Sequence, residues 1–170
     1  MEIIGAQKPE YKAIPNTGGE KFILTAPWRI VIVWDFGYTV LTIKPGFVTD
    51  FASVPPIFRR IAGKPTEYPR LIAALLHDWL YAAKLPGVPR AVADELYCDV
   101  CRAVGIGVIR RNFEWGVLRV CGGAAWREHD EADRAHALDR SVIEDHFDIP
   151  QDELAAIVKK EKAKYEKENG

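Results

Sequence analysis

Residues 21–25, 29–34 and 38–43 are short runs rich in β-branched and aromatic side chains, separated by Ala26-Pro27 and by Asp35-Phe36-Gly37. Such runs between turn-forming residues predict an antiparallel β-meander. Lys44-Pro45-Gly46 breaks the pattern, and Phe47-Val48-Thr49 predicts one more short strand. Residues 50–56 then form a loop ending in Pro55-Pro56, a pair that can open a helix. From residue 69 the spacing of apolar positions becomes helical. One helix is expected over 69–84, and Leu85-Pro86-Gly87-Val88-Pro89 makes a compact break. A second helix follows over 90–104, so that the two form a helical hairpin. Gly105-Ile106-Gly107 ends the second helix. Residues 108–120 predict a third, with Phe113, Val117 and Val120 on one stripe and Gly122-Gly123 interrupting it. Residues 130–145 read as polar and less regular. Residues 151–168 read as a charged, solvated helix with a thin apolar stripe of Leu154, Ile157 and Val158.

The expected fold class is α+β, with an N-terminal antiparallel sheet packed on a helical hairpin and further C-terminal helices. One domain over 1–150 is expected, its sheet at about 20–50 and its helices at about 55–126, followed by a charged helix over 151–170. There is no internal repeat and no low-complexity segment.

Composition narrows the function. The 170 residues are 48% hydrophobic, enough for a proper core. Lys and Arg total 23 against 24 for Asp and Glu, so general electrostatic binding to nucleic acid is not expected. No apolar stretch approaches the roughly 20 residues that span a bilayer, and the N-terminus lacks a basic region followed by an apolar one. A cytosolic protein is the expectation. Cys98, Cys101 and Cys121 are an odd number for a disulfide framework, and the Cys-x-x-Cys pair has no matching second pair to complete a zinc site.

The candidate chemistry lies at His77-Asp78-Trp79-Leu80-Tyr81, which follows the apolar run Leu71-Ile72-Ala73-Ala74-Leu75-Leu76, and at Asp94 in the next helix. An imidazole and carboxylates in apolar surroundings are costly to bury unless they bind each other or a metal. Measured from a hairpin turn near Pro86-Gly87, His77 and Asp94 differ in height by only about 3 Å at about 1.5 Å per residue, so they can meet across the interface. Tyr81, one turn beyond His77, can cap the pair with its hydroxyl. A histidine held by a carboxylate has the arrangement of a general base. Asp78 is rotated about 100° around the helix and faces a neighbouring spot. With Asp50 from the preceding loop it could hold a hard divalent cation, calcium or magnesium, with Thr49 and Ser53 supporting the loop. The residues equally allow a structural reading. In that reading Asp50 caps the turn leading to Ser53, His77 and Asp94 are a buried hydrogen-bonded pair, and Asp78 binds Arg59, Arg60 or Arg110.

His77-Asp78-x-x-Tyr81 on one helix, with Asp94 on the next, resembles the core of the phospholipase A2 superfamily, especially its small prokaryotic and fungal members. The resemblance covers about thirty residues. It implies that His77 activates water, that Asp78 binds calcium and that Asp94 orients His77, with further calcium ligands from a loop before the first helix, here 50–55. The cysteines usual beside the family's histidine-aspartate pair are absent: Ala73 and Ala74 precede it here and Leu80 follows. The fuller pattern, Gly46-x-x-Thr49-Asp50-x-x-Ser53-x-Pro55, then His77-Asp78-x-Leu80-Tyr81, then Ala93-Asp94, is similar to a phage and prophage family of unknown function from about residue 40 to residue 126. That resemblance implies a phage-encoded protein acting in the host cytoplasm or incorporated in the virion.

Two functions of different class follow. One is a metal-assisted hydrolase of a lipid or other ester, with His77, Asp94 and Tyr81 as the catalytic group and Asp50 and Asp78 around calcium. The other is a non-catalytic tail-associated or assembly component, partnered by phage structural proteins, in which the His/Asp cluster is structural. A phosphohydrolase built on a His-Asp metal pair would need a further upstream histidine, and none of the four histidines precedes His77.

Overall fold

The apolar run ending at His77 forms helix α1 (Arg70–Ala83), which buries thirteen of its fourteen residues. A helix apolar all round needs neighbours on every side, and the rest of the fold supplies them. The computed structural model describes residues 1–5, 7–18, 21–51 and 66–169. Ser53, the Pro55-Pro56 pair, Arg59 and Arg60 lie outside the described residues.

Seven strands are described: β1 (Glu2–Ile4), β2 (Tyr11–Ala13), β3 (Phe22–Leu24), β4 (Trp28–Trp34), β5 (Gly37–Ile43), β6 (Val48–Thr49) and β7 (Ser141–Phe147). Besides α1 there are α2 (Arg90–Ala103), α3 (Val108–Glu128), α4 (Glu131–Asp139) and α5 (Gln151–Asn169). The class is α+β, as expected. The strands, however, do not make a single meander. They form a four-stranded sheet in the order β1-β4-β5-β7 and a three-stranded one in the order β2-β3-β6, every pairing antiparallel. The break at Ala26-Pro27 is where the chain changes sheets. Beyond it, Trp28 is buried and its indole N–H donates to the Gln7 carbonyl at 2.8 Å.

Strand β4 is apolar on both faces, and both are covered. Ile30 and Ile32 join the core around α1, whereas Val31 and Val33 join Ile4, Val40 and Leu154 on the opposite face. Leu154 belongs to α5, so the terminal helix lays its apolar stripe on the outer face of the sheet while most of its other residues stay exposed. Arg29–Glu161 at 2.9 Å and Lys162–Glu2 at 2.5 Å tie down its exposed side. The expected charged helix with a thin apolar stripe is therefore present, and the solvated reading needs correction only along that stripe, where Leu154 is buried and Val158 packs beside it.

Two further expectations are corrected. The polar stretch 130–145 is regular. Asp130 starts α4 with a capping box in which its carboxylate accepts from Ala132 N and Asp133 N, and β7 then pairs along all of β5. As an exposed edge strand, β7 needs little apolar alternation to be stable. Nor do Gly122 and Gly123 interrupt α3, which runs to Glu128. A Cβ on Gly122 would stand 2.5 Å from the Tyr81 hydroxyl and 3.2 Å from Arg90 Nη1. Glycine here admits the close approach of two functional side chains and costs the helix about 1 kcal/mol against alanine. Gly122→Ala is therefore expected to destabilise the protein by about 1–3 kcal/mol instead of stabilising it. Chemical denaturation checks this, and a rise in stability would show that Tyr81 can move aside freely.

Candidate active site

α1 and α2 pack as the expected hairpin, and their polar residues meet inside it. His77 Nε2 lies 3.0 Å from Asp94 Oδ1, and the Tyr81 hydroxyl donates to the same oxygen at 2.6 Å. The other Asp94 oxygen, Oδ2, accepts from Arg119 Nη1 at 3.1 Å and is ion-paired with Arg90 Nη1 at 3.4 Å. Asp94 is wholly buried and His77 is 2% exposed. The matched heights of the two residues were legible from spacing alone.

Neither arginine figured in the sequence expectation. Arg90 stands four residues before Asp94, one turn away on the same helix face, and that spacing carries a signal. Arg119 is brought in from α3 by tertiary packing and left no local signal. Arg90 also donates to the carbonyls of Leu118 and Arg119, locking α2 to α3 beside the site.

The protonation states follow from this geometry. Burial disfavours the imidazolium and outweighs the pull of Asp94, so the pKa of His77 is lowered. Burial would raise the Asp94 carboxyl, but its hydrogen bonds from His77, Tyr81 and Arg119 and its attraction to His77 hold it below the ordinary value. Burial, reinforced by the Asp94 carboxylate, pushes the Tyr81 phenol up, so it remains a donor. At neutral pH the arrangement is a neutral imidazole donating through Nε2–H to an ionised carboxylate. The lone pair then sits on Nδ1, which has no hydrogen-bond partner among the described residues.

Asp78 points elsewhere, as its rotation around α1 requires. Its Oδ2 accepts from the Thr49 hydroxyl at 2.5 Å and from Phe51 N at 3.0 Å. Phe51 adopts a left-handed φ of 51°, a conformation that costs a non-glycine residue about 1–3 kcal/mol and turns its N–H onto the carboxylate. Burial, followed by the negative charge of Asp50, raises the Asp78 pKa well above the ordinary carboxylate value. The charge of Asp50 disfavours the ionised form of Asp78, a cost that a proton on Asp78 or a bound cation would relieve. The donor set is oxygen only, which suits a hard cation such as calcium. Among the described residues no group of three or more His, Cys, Asp or Glu is arranged to hold a metal, so a cation here would need ligands beyond the two carboxylates. Of the arginines suggested for Asp78, Arg110 is engaged elsewhere, with Glu67 at 2.9 Å and Glu114 at 3.0 Å. Arg59, Arg60 and Ser53 lie outside the described residues.

A second buried polar group sits two turns before His77. Arg70 Nε is 3.2 Å from Glu114 Oε1, and the Tyr97 hydroxyl donates to Glu114 Oε2 at 2.5 Å. It joins α1, α2 and α3 deep in the core, the arrangement of a structural pin. His77, Asp78 and Tyr81, by contrast, line a cavity of about 490 Å³ together with Thr49 and Asp50. Val117 and Cys121 of α3 give it an apolar side, and His129, Asp133 and His136 border it from the α3–α4 junction. That volume lies in the ordinary range for small-molecule sites, about 300–1,000 Å³.

Residues 25–117 match the model of a family described as a protein of unknown function, DUF1353. The match takes in Thr49, Asp50, α1 and α2, and ends before Arg119 and His129. No curated protein and no solved structure matches.

Proposed function

The chain belongs to the DUF1353 family, and on that premise we propose that it is a phage-encoded, metal-assisted hydrolase of ester or acyl bonds that uses a His-Asp dyad in the manner of phospholipase A2. The observation that carries this reading is the His77 Nε2 to Asp94 Oδ1 contact beside a cavity. An ester enters the cavity, and a water molecule gives its proton to His77 Nδ1 as its oxygen attacks the carbonyl carbon. Asp94 fixes the tautomer and stabilises the imidazolium that forms. Tyr81, Arg90 and Arg119 hold Asp94 ionised and in place. A divalent cation held by Asp50 and Asp78 would supply charge to stabilise the oxyanion. The test is release of fatty acid from medium-chain phospholipid and simple ester substrates, with calcium or with chelator. Turnover with calcium and none with chelator is expected.

The near-complete burial of His77 and Asp94 favours a second reading, a tail-associated or assembly component partnered by phage structural proteins, in which the cluster is a structural pin. Silence across the substrate panel, together with incorporation into virions, would decide for it.

The cation makes a separate prediction. Because Asp78 has a raised pKa in the folded state, the native protein loses stability as pH rises from the unfolded carboxylate value through the raised one. A cation takes the place of the missing proton. Calcium is therefore expected to raise the melting temperature more at about pH 8 than at about pH 5. Scanning calorimetry reads this, and no calcium effect at either pH removes the metal from the mechanism.

A further inference from the structure

Helix α3 is apolar on its inner and its outer side, and only the inner one is covered. Leu118 faces inward and is buried. On the outer side Ile109 and Val120 are each 84% exposed, and Val108 and Trp115 beside them are open to solvent. Of the described residues on this side between Ile109 and Ala124, only Arg119 is charged, and its guanidinium is turned to Asp94 at 3.1 Å. The solvent side of a helix ordinarily carries the charge. In a chain with 28% charged residues, a bare side of this length calls for a cover.

Two glycines run down the middle of this side. Ile109, Gly116 and Gly123 are spaced by seven residues, about two turns, and so lie in one line along the helix. Glycine in a helix interior costs about 1 kcal/mol against alanine. The protomer gives no steric reason for either. A Cβ on Gly116 would meet nothing within 4 Å among the described residues, and one on Gly123 would meet only the Arg127 guanidinium, at 3.4 Å. Gly122 differs, because the Tyr81 hydroxyl occupies its space. Missing side chains in an exposed, almost uncharged face leave room for another backbone to come close.

We propose that two copies of this chain pair through α3, antiparallel across a two-fold axis at Gly116. The face is complementary to itself in that arrangement. Positions equally far from Gly116 meet, so Ile109 of one copy lies over the gap at Gly123 of the other, and Val120 lies over Asn112. The exposed Arg127 side chain swings off Gly123 to admit Ile109. Gly116 meets itself, which lets the two helix axes approach at the near end of the usual range, about 8 Å. The exposed parts of Val108, Ile109, Trp115 and Val120 amount to about 500 Å² of apolar surface, as much as the largest patch on a typical monomer. The residues between them bring the face toward the roughly 800 Å² that each partner contributes to a stable dimer. A lipid surface matches less well, because anionic lipid recruits clusters of free Lys and Arg, and Arg119 is already bound to Asp94.

Sedimentation velocity of the full chain from about 1 to 500 μM tests the pairing, and the mass is expected to double as concentration rises. Ile109→Glu and Val120→Glu should hold the chain at the single mass. Both positions are exposed, so melts at the lowest concentration should show both variants folded. Cross-linking then fixes the axis, with Cys98 and Cys121 changed to serine throughout. Gly116→Cys should form an intermolecular disulfide on mild oxidation, because its two copies meet. Ile109→Cys should not, since its two copies stand about 21 Å apart along the antiparallel pair, beyond the roughly 7 Å between Cα atoms that a disulfide spans. A chain that stays single at every concentration, a dimer that survives Val120→Glu, or cross-linking at Ile109→Cys as strong as at Gly116→Cys overturns the proposal. If the single chain instead co-sediments with phosphatidylglycerol vesicles and Val120→Glu abolishes that, the face belongs to lipid and not to a second copy.

Discussion

Replacing His77 with asparagine or glutamine is expected to lower ester hydrolysis by about 10²- to 10⁴-fold, the usual contribution of a positioned general base. Asparagine and glutamine keep a polar group near Asp94 but offer no lone pair basic enough to take a proton from water. The same substitution also lowers stability. The ring packs against Tyr81 at 4.0 Å and Tyr97 at 5.5 Å between centroids, and its loss leaves Asp94 Oδ1 with the Tyr81 hydroxyl alone. A loss of about 1–3 kcal/mol follows from removing one partner of a buried hydrogen bond. Stability therefore does not separate an enzyme from a structural pin, since an imidazole this buried is part of the packing in both. Turnover does, when measured below the melting transition of the variant. The pH profile adds a second check: with the His77 pKa lowered, activity should persist below pH 6.5 and fall only as the imidazole is protonated. A folded His77→Asn protein with undiminished turnover would end the dyad mechanism.

How much of this was legible depended on whether the physics was local. The helical hairpin was, because the period of apolar positions in α1 and the Pro-Gly break fix two helices and, with them, the relative heights of His77 and Asp94. Tyr81 followed from the same one-turn spacing. The sheet was only partly legible. β4 and β5 announce themselves through continuous β-branched runs, whereas β1 and β2 have three residues each and β7 is an exposed edge, where packing demands little of the sequence. Partners that meet only through tertiary packing left no trace, as with Arg119 on Asp94 and His129 beside the cavity of His77, and the stripe on α5 marked an inner side without showing that it lies over Val31 and Val33. Gly122 was read as a break because glycine weakens a helix, but the need for space beside Tyr81 and Arg90 prevailed.

Asp94→Asn is expected to damage both stability and chemistry, whichever way the new amide turns. With its oxygen toward His77 and Tyr81, its NH2 faces the guanidinium groups of Arg90 and Arg119, donor against donor, and both cations lose their counter-charge. With its oxygen toward the arginines, its NH2 faces His77 Nε2, which must then accept. The imidazole proton moves to Nδ1, and the nitrogen that should deprotonate water no longer has a lone pair. Removing the anion from a fully buried ion pair costs about 3–5 kcal/mol. The Arg90 and Arg119 side chains are 24% and 35% exposed and can partly turn to water, so a loss of about 2–4 kcal/mol is expected in chemical denaturation at neutral pH. The pH dependence has a definite sign. The Asp94 pKa is lowered from 3.8 in the folded state, so its contribution is fully present above that value and is lost as pH falls through the lowered one. The stability gap between the unchanged protein and Asp94→Asn should therefore narrow in acid below about pH 4. A gap that stays constant from neutral pH down to about pH 3 would mean that Asp94 is not an anion in the folded protein, and a protonated Asp94 could neither hold the two arginines nor stabilise the imidazolium that the hydrolytic mechanism requires.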